Sequence, residues 1–284
     1  MGTEVRRTVA ILGACLTIIL SLFVGGGREP DGKTLRVVFF DVGQGDAIFI
    51  ESPTGKQVLI DGGSDSAILR RLSAVMGYFD RSLDMVLATH EDRDHVGGLP
   101  DVFTQYQVGT FVRTENQGES SEARIVDELS KREGSAVIYA RRGMTFDLGA
   151  STTLEILFPD RDPSMLESNT SSIVARLVYG ESSFLLTGDS PDEIEEHLVL
   201  LDATGLTSDV LKLGHHGSRT SSSELFLKAV APTYAIISAG KDNRYGHPHA
   251  EVVERLTRLG MRTRSTAQEG NIVFETNGVK LVSK

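Results

Sequence analysis

Ten residues constrain this chain more than any others. Thr89-His90-Glu91-Asp92-Arg93-Asp94-His95-Val96-Gly97-Gly98 packs two imidazoles and three carboxylates, Asp92 and Asp94 among them, into the six residues from His90 to His95, after the apolar run Met85 to Ala88. A strand that ends at a buried edge and then holds Asp92 and Asp94 close together brings like charges into contact, which a cation between them would relieve. Gly97 and Gly98 then let the backbone turn tightly into the next helix. The alternative is an exposed charged loop, and the rest of the chain argues against it.

The other histidines decide between the two. Of seven in the sequence, His90 and His95 lie in this cluster, His215 and His216 form a second, and His247 and His249 a third. Each cluster follows an apolar strand pattern, namely Met85 to Ala88, Val210 to Leu213 and Ala235 to Ser238, so strand ends at one sheet edge can converge. His197 is left over in a polar helical segment and reads as a solvated surface residue. Asp189 also ends an apolar run and follows Gly188; it reads either as a helix cap before Pro191 or, with histidine clusters on both sides, as a metal-bridging carboxylate. The single cysteine, Cys15, permits neither an intrachain disulfide nor a thiolate cluster, so the ligands must be imidazole and carboxylate.

The 284 residues, 40 % of them apolar, suit one large domain or two halves sharing a core. A net charge of −10 argues against a general polyanion binder, so any nucleic-acid role must be local and metal-assisted. At the N-terminus, Arg6-Arg7 precedes a 20-residue run from Thr8 to Gly27 without a charge, long enough to cross a bilayer as a helix. Residues 1–7 are then a cytoplasmic N-terminus, 8–27 a signal anchor that leaves the body outside, and 28–34 a linker. A cleaved signal peptide, with small residues at Gly25 to Gly27, would instead make the protein secreted. Cys15 sits in a weak match to a lipoprotein box, but the apolar run continues past it to Val24.

From Leu35 onward short β-rich runs alternate with Gly and Asp turns: Leu35 to Asp41, Ala47 to Glu51 and Gln57 to Asp61 read as a meander. Helical patterns follow at about Ser66 to Met76, Leu99 to Gln105 and Ser121 to Arg132. Strand patterns recur at Ala136 to Tyr139, Thr153 to Phe158, Ser172 to Val178 and Ser183 to Leu186. A helix at Pro191 to Leu200 precedes three strand-turn-helix units beginning at Val210, Tyr234 and Met261, and a terminal hairpin turns at Thr276-Asn277-Gly278. The expected architecture is α/β, with two sheets packed face to face and helices outside.

The order His-x-Asp-x-Asp-His, Thr-Gly-Asp, His-His-Gly-Ser and Gly-His-Pro resembles the metallo-β-lactamase fold. More narrowly it resembles the extracellular metallo-hydrolase domain of the ComEC family of DNA-uptake competence channels. Phe40-Asp41-Val42-Gly43-Gln44-Gly45-Asp46-Ala47, Ile60-Asp61-Gly62-Gly63, Leu211-Lys212-Leu213-Gly214-His215-His216-Gly217-Ser218 and Asn243-Arg244-Tyr245-Gly246-His247-Pro248 carry the match over about Leu35 to Val282. The resemblance implies a four-layer αββα sandwich of two mixed sheets over residues 35–284, with one or two divalent ions at one edge. His90 and Asp92 would hold one ion, Asp94 and His95 the other, with Asp189 shared and His215 a further ligand. Two departures stand out. Asp92 replaces the second histidine of the commoner pattern, and the histidine expected before Asp189 is absent from Glu167-Ser168-Asn169-Thr170-Ser171-Ser172. An oxygen-rich ligand set makes manganese a competitor to zinc.

A cation held this way lowers the pKa of a bound water. Asp94 would orient that water or bridge the ions, His216 and His247 would protonate the leaving oxygen or grip a phosphoryl oxygen, and Asn169, Ser218 and Arg219 would contact substrate. The leading expectation is an extracytoplasmic phosphodiesterase or nuclease acting on single-stranded DNA or a small phosphodiester, since Arg219 could meet the negative charge. The alternatives are hydrolysis of a small ester, lactone or amide, and a non-catalytic binding domain. No protein partner is expected.

Overall fold

A computed structural model of the chain describes residues 33–116 and 120–284. The expected anchor or signal segment at 8–27 lies outside the described residues, and among those described no helix is long and apolar enough to cross a membrane. Fifteen strands run in chain order: β1 (Leu35–Phe39), β2 (Ile48–Glu51), β3 (Gln57–Ile60), β4 (Ser82–Leu87), β5 (Gln107–Arg113), β6 (Ala136–Tyr139), β7 (Thr145–Gly149), β8 (Thr152–Phe158), β9 (Val174–Tyr179), β10 (Ser182–Leu186), β11 (Val210–Lys212), β12 (Tyr234–Ile237), β13 (Arg262–Ser265), β14 (Ile272–Thr276) and β15 (Leu281–Ser283). They form an eight-stranded sheet, ordered β15-β14-β1-β2-β3-β4-β5-β6, and a seven-stranded sheet, ordered β13-β12-β11-β10-β9-β8-β7.

The strands are apolar at successive positions because both faces are covered. Val37, Phe39, Ile48, Ile50, Val58 and Ile60 point into the space between the sheets, where they meet Leu154, Ile156, Leu177 and Phe184. Their neighbours Val38, Phe40, Phe49 and Leu59 face outward onto the helices Ala67–Val75 and Leu99–Gln105. The second sheet repeats the arrangement, with Leu185, Leu211 and Ile237 covered by the helices Asp192–Asp202, Glu224–Val230 and Ala250–Arg258. Two sheets between two helix layers give the αββα sandwich. The terminal hairpin closes the first sheet, with β14 antiparallel to β1 from Leu35 opposite Thr276 to Phe39 opposite Ile272.

Strands β3 to β6 are parallel to one another, as are β10 to β13. The loops that leave the carboxyl ends of β3, β4, β10, β11 and β12 carry Asp61, His90, Asp189, His216 and Ser238. Such an edge of an α/β sheet is where a ligand site is expected.

Candidate metal centre

Asp61 follows β3 in a left-handed conformation with φ of 58°. Its Oδ1 accepts from Thr89 N at 2.8 Å, and its Oδ2 accepts from Thr89 Oγ1 at 2.7 Å and from His95 Nδ1 at 2.8 Å. Thr89 Oγ1 in turn lies 3.1 Å from His90 Nδ1. With its proton spent on Asp61, the hydroxyl accepts from His90, and both rings are left with Nε2 as a lone-pair donor. His216 reaches the same state from the other sheet: its Nδ1 donates to Ser238 O at 2.8 Å. His215 and His216 both occupy left-handed backbone, with φ of 47° and 56°. Non-glycine residues held there cost roughly 1 to 3 kcal/mol each and gather at functional sites.

The three Nε2 atoms of His90, His95 and His216 are buried without a hydrogen-bond partner, as is Asp189 Oδ1. They converge. His95 Nε2 lies 3.2 Å from Asp189 Oδ1, and His216 Nε2 lies 3.3 Å from both Asp189 Oδ2 and Asp94 Oδ2. The His90 and His95 rings are 4.1 Å apart between centroids. Buried imidazoles and carboxylates aimed at one another fit a divalent cation, which would take the place of the protons that otherwise pair His95 and His216 with Asp189 and Asp94. His95, Asp94, Asp189 and His216 would hold one ion, and His90 with Asp92, whose carboxylate is 3.7 Å from His90 Nε2 and half exposed, begins a second position.

Asp46, His95, Asp189 and His216 also bring donor atoms within 4.8 Å of one another. Asp46, however, faces the Nδ1 sides of the two rings, at 3.5 Å from His216 and 3.9 Å from His95, behind the converging Nε2 atoms. Its Oδ2 pairs with the ammonium of the fully buried Lys212, which also donates to Gly188 O at 3.2 Å and lies 3.8 Å from Asp189 Oδ1. Burial raises the pKa of the Asp46 carboxyl, but Lys212, with His216 and His95 beside it, outweighs burial and holds it below the ordinary value. Asp46 and Lys212 therefore form a charged pair beneath the centre and support its ligands.

The structure brings most of the expected site residues together. Of the two adjacent histidines, His216 is buried with its Nε2 3.3 Å from Asp189, whereas His215 is partly exposed and its Nε2 is 3.9 Å from Asp189. His247 is half-buried, its ring centroid 5.4 Å from that of His215 and 6.1 Å from that of His216. Burial and the neighbouring imidazoles lower its pKa to about 4, so it is neutral at pH 7 and suited to hydrogen bonding rather than to acid catalysis. Asn169 opens a single 3-10 turn, Asn169–Ser171, and keeps a buried, unpaired Oδ1. That turn is tied to the centre by Asp189 N donating to Ser172 Oγ at 3.2 Å. Ser218 is buried, and its hydroxyl is 3.0 Å from that of Thr220, which lies 3.2 Å from His215 Nδ1. Arg219 lies in a separate cleft: its Nε is 3.6 Å from Glu251, among Asp192, Glu224, Glu254, Arg255 and Arg258.

Asp46, Asp61 and Lys212 are the functional residues that composition and spacing did not single out. Each stands alone at a strand end, and only the Gly-rich turns beside Asp46 and Asp61 mark them.

The metallo-beta-lactamase superfamily pattern matches residues 40–241, and the chain belongs to that superfamily. Within it, the chain is 31 % identical over 281 residues to ComE operon protein 3 of Bacillus subtilis (strain 168), covering 92 % of this chain and 35 % of that protein. It is 33 % identical over 285 residues to competence protein ComA of Neisseria gonorrhoeae, covering 93 % of this chain and 38 % of the relative. The chain thus spans little more than a third of the length of these curated relatives. Two solved structures share the fold. Igni18, a metallo hydrolase from Ignicoccus hospitalis KIN4/I, has a TM-score of 0.55 at 16 % identity, over 86 % of this chain and 99 % of that one. Zn(2+)-bound PqqB from Methylobacterium extorquens has a TM-score of 0.54 at 13 % identity, over 81 % and 97 %.

Proposed function

We propose that this protein is a metal-dependent phosphodiesterase, acting as a nuclease on the outer side of a membrane. The observation that carries the reading is the convergence of three unpaired, buried imidazole Nε2 atoms on the Asp94 and Asp189 carboxylates. The similarity to competence proteins supports a nucleic-acid substrate. A bound divalent ion supplies Lewis acidity and makes water nucleophilic near neutral pH, chemistry suited to a phosphate ester. Zinc and manganese both fit a mixed imidazole and carboxylate set.

The chain's own residues do the rest. Asp61 fixes the His95 ring so that Nε2 faces inward, and Ser238 O does the same for His216. Asp94 is the most exposed of the four ligands of the first position, so it stands at the open side, where it can orient water. In the test, the full 284-residue chain is assayed for hydrolysis of bis(p-nitrophenyl) phosphate with added manganese or zinc, beside Asp189→Asn. Wild-type turnover that falls at least a hundredfold in the variant is expected. Absence of wild-type turnover with either ion, in protein shown to bind it, would sink the reading.

A further inference from the structure

The chain enters the sandwich at the edge opposite the metal centre. Strand β1 is antiparallel to β2, and β2 to β3, so β1 runs in the direction of β3 and β4. Their registers put Val37 level with Met85, and the amino ends of β1 and β4 share this edge. The Tyr179 hydroxyl donates to Lys33 O at 3.1 Å, which fixes the point of entry. On either side of that point apolar groups stand in solvent. The turn from the helix Ala67–Val75 into β4 carries Tyr78 and Phe79, 59 % and 80 % exposed, and the hairpin between β14 and β15 carries Val279, 73 % exposed. In the strand order β15-β14-β1-β2-β3-β4 they straddle β1, with the aromatic turn about 15 Å to one side.

That turn is built rather than loose. Asp80 N donates to Gly77 O at 2.9 Å, Gln57 Nε2 donates to Asp80 Oδ2 at 2.9 Å, and Ser82 N and Oγ donate to Asp80 Oδ1 at 3.2 and 2.9 Å. Arg36 in β1 donates to Val75 O at 3.4 Å and ties the turn to the entering strand. Met76 is buried, but the two rings that follow meet each other edge to face at 4.9 Å instead of the core. Apolar surface held in solvent by a hydrogen-bonded turn marks a contact site. The length of chain before β1 says what covers it. Thr8 to Gly27 is uncharged and long enough to cross a bilayer, and only residues 28–34 separate it from β1. Seven residues span at most about 25 Å, so with this run in a bilayer the entry edge stays close to the lipid surface.

We propose that Tyr78, Phe79 and Val279 rest in the interfacial layer of a lipid bilayer, on both sides of the chain's entry into β1. Aromatic rings settle at headgroup level, tyrosine with its hydroxyl toward water. The contact rests on the membrane placement of residues 8–27 and not on the chemistry of the centre. A tether alone would let the domain tumble, whereas this footing stands the strands on end. The six residues of β4 then lift the metal centre about 20 Å further from the lipid, facing away from it.

The full chain is incorporated into phosphatidylcholine vesicles, and flotation with them reports the placement of the run. The sequence contains no tryptophan, so Phe79→Trp introduces a single fluorescent reporter. Its emission should be blue-shifted, and about twofold weaker in dibrominated than in ordinary phosphatidylcholine. Tyr245→Trp, beside His247 at the metal-centre edge, should emit equally in both lipids. Val279→Trp should also be quenched, and adding Tyr78→Ser and Phe79→Ser should remove about half of that quenching or more, which separates the footing of the native rings from any preference of tryptophan itself. A chain that does not float overturns the placement and the contact with it. Equal Phe79→Trp emission in the two lipids overturns the contact, and a blue shift without quenching would mean that protein covers the rings instead. Equal quenching at positions 79 and 245, or no effect of the two serines, would mean that the domain has no fixed footing. Hydrolysis of bis(p-nitrophenyl) phosphate decides the chemistry separately, since that small diester needs no membrane.

Discussion

At the scale of single residues, the centre is a set of imidazoles whose protons a metal must displace. Burial works against charge on His95 and His216, but Asp189 and Asp61 around the first ring, and Asp189, Asp46 and Asp94 around the second, outweigh it and raise both pKa values well above 6.5. Binding of a divalent ion at pH 7 should therefore release protons. Calorimetric titration with manganese in two buffers of different ionisation enthalpy should give heats that differ, and identical heats would contradict these raised values. The sign for stability follows from linkage. A histidine raised in the folded state adds stability that is whole below about 6.5 and is lost as pH climbs through the folded value. Metal-free protein should then weaken as pH rises from 6 to 9, while the increment in melting temperature from added metal grows.

At the scale of elements, the centre depends on two loops pressed together. Asp46 N donates to Asp94 O at 3.2 Å, and Gly45, with φ of 122°, leaves no room for a side chain: a Cβ there would sit 1.9 Å from Asp94 O. Gly45→Ala should push the Asp94 loop aside, costing about 1 to 3 kcal/mol and weakening manganese affinity at least tenfold. Gly43→Ala provides the comparison, since its φ is also positive but nothing lies within 4 Å of its Cβ. If both variants lose metal affinity equally, backbone strain rather than the collision is responsible. The histidine clusters and most strands were legible because each is a local pattern: an apolar run of alternating faces, then a turn carrying His or Asp. Strand β5 was not, because Gln107, Gly109 and Thr110 break the apolar run, although β4 and β6 flank it. Strand β7 was not read either: it is a short edge strand of five residues, and its alternation of Thr145 and Asp147 with Phe146 and Leu148 is too brief to stand out between Gly143 and Gly149.

At the scale of the whole molecule, what stayed hidden was what distant segments do to one another. The terminal hairpin could be read from Asn277-Gly278, but its return to pair with β1 could not, because pairing partners 241 positions apart, Leu35 and Thr276, leave no local trace. The same holds for Lys212 and Asp46: a lysine in an apolar strand and an aspartate after a glycine carry no mark of a shared site 166 positions apart. The assignment of His216 rather than His215 as the inward ring follows from strand-end geometry, which adjacency in sequence cannot resolve. The carboxylates that neighbour Arg219 in space, Glu251 and Glu254, come from the later helix Ala250–Arg258 and leave no mark beside it in the sequence.

The Lys212 ammonium has a consequence for chronology. A pocket holding Asp46, Asp61 and Asp189 would resist closing around its own charges if it had to wait for an ion from outside, and a chain so built would fold only where metal is already plentiful. With a cation supplied by β11 itself, the two sheets can close first and load later, so the protein can be assembled in one setting and armed in another. Lys212→Met should remove that independence. In chelator the variant should melt far below the wild type, because Asp46 is left buried and unpaired, a loss of about 3 to 5 kcal/mol, and manganese should close much of the gap. Equal losses with and without metal would mean that the lysine only packs. Folding and arming would then be a single event, set by whatever ion is at hand when the chain collapses.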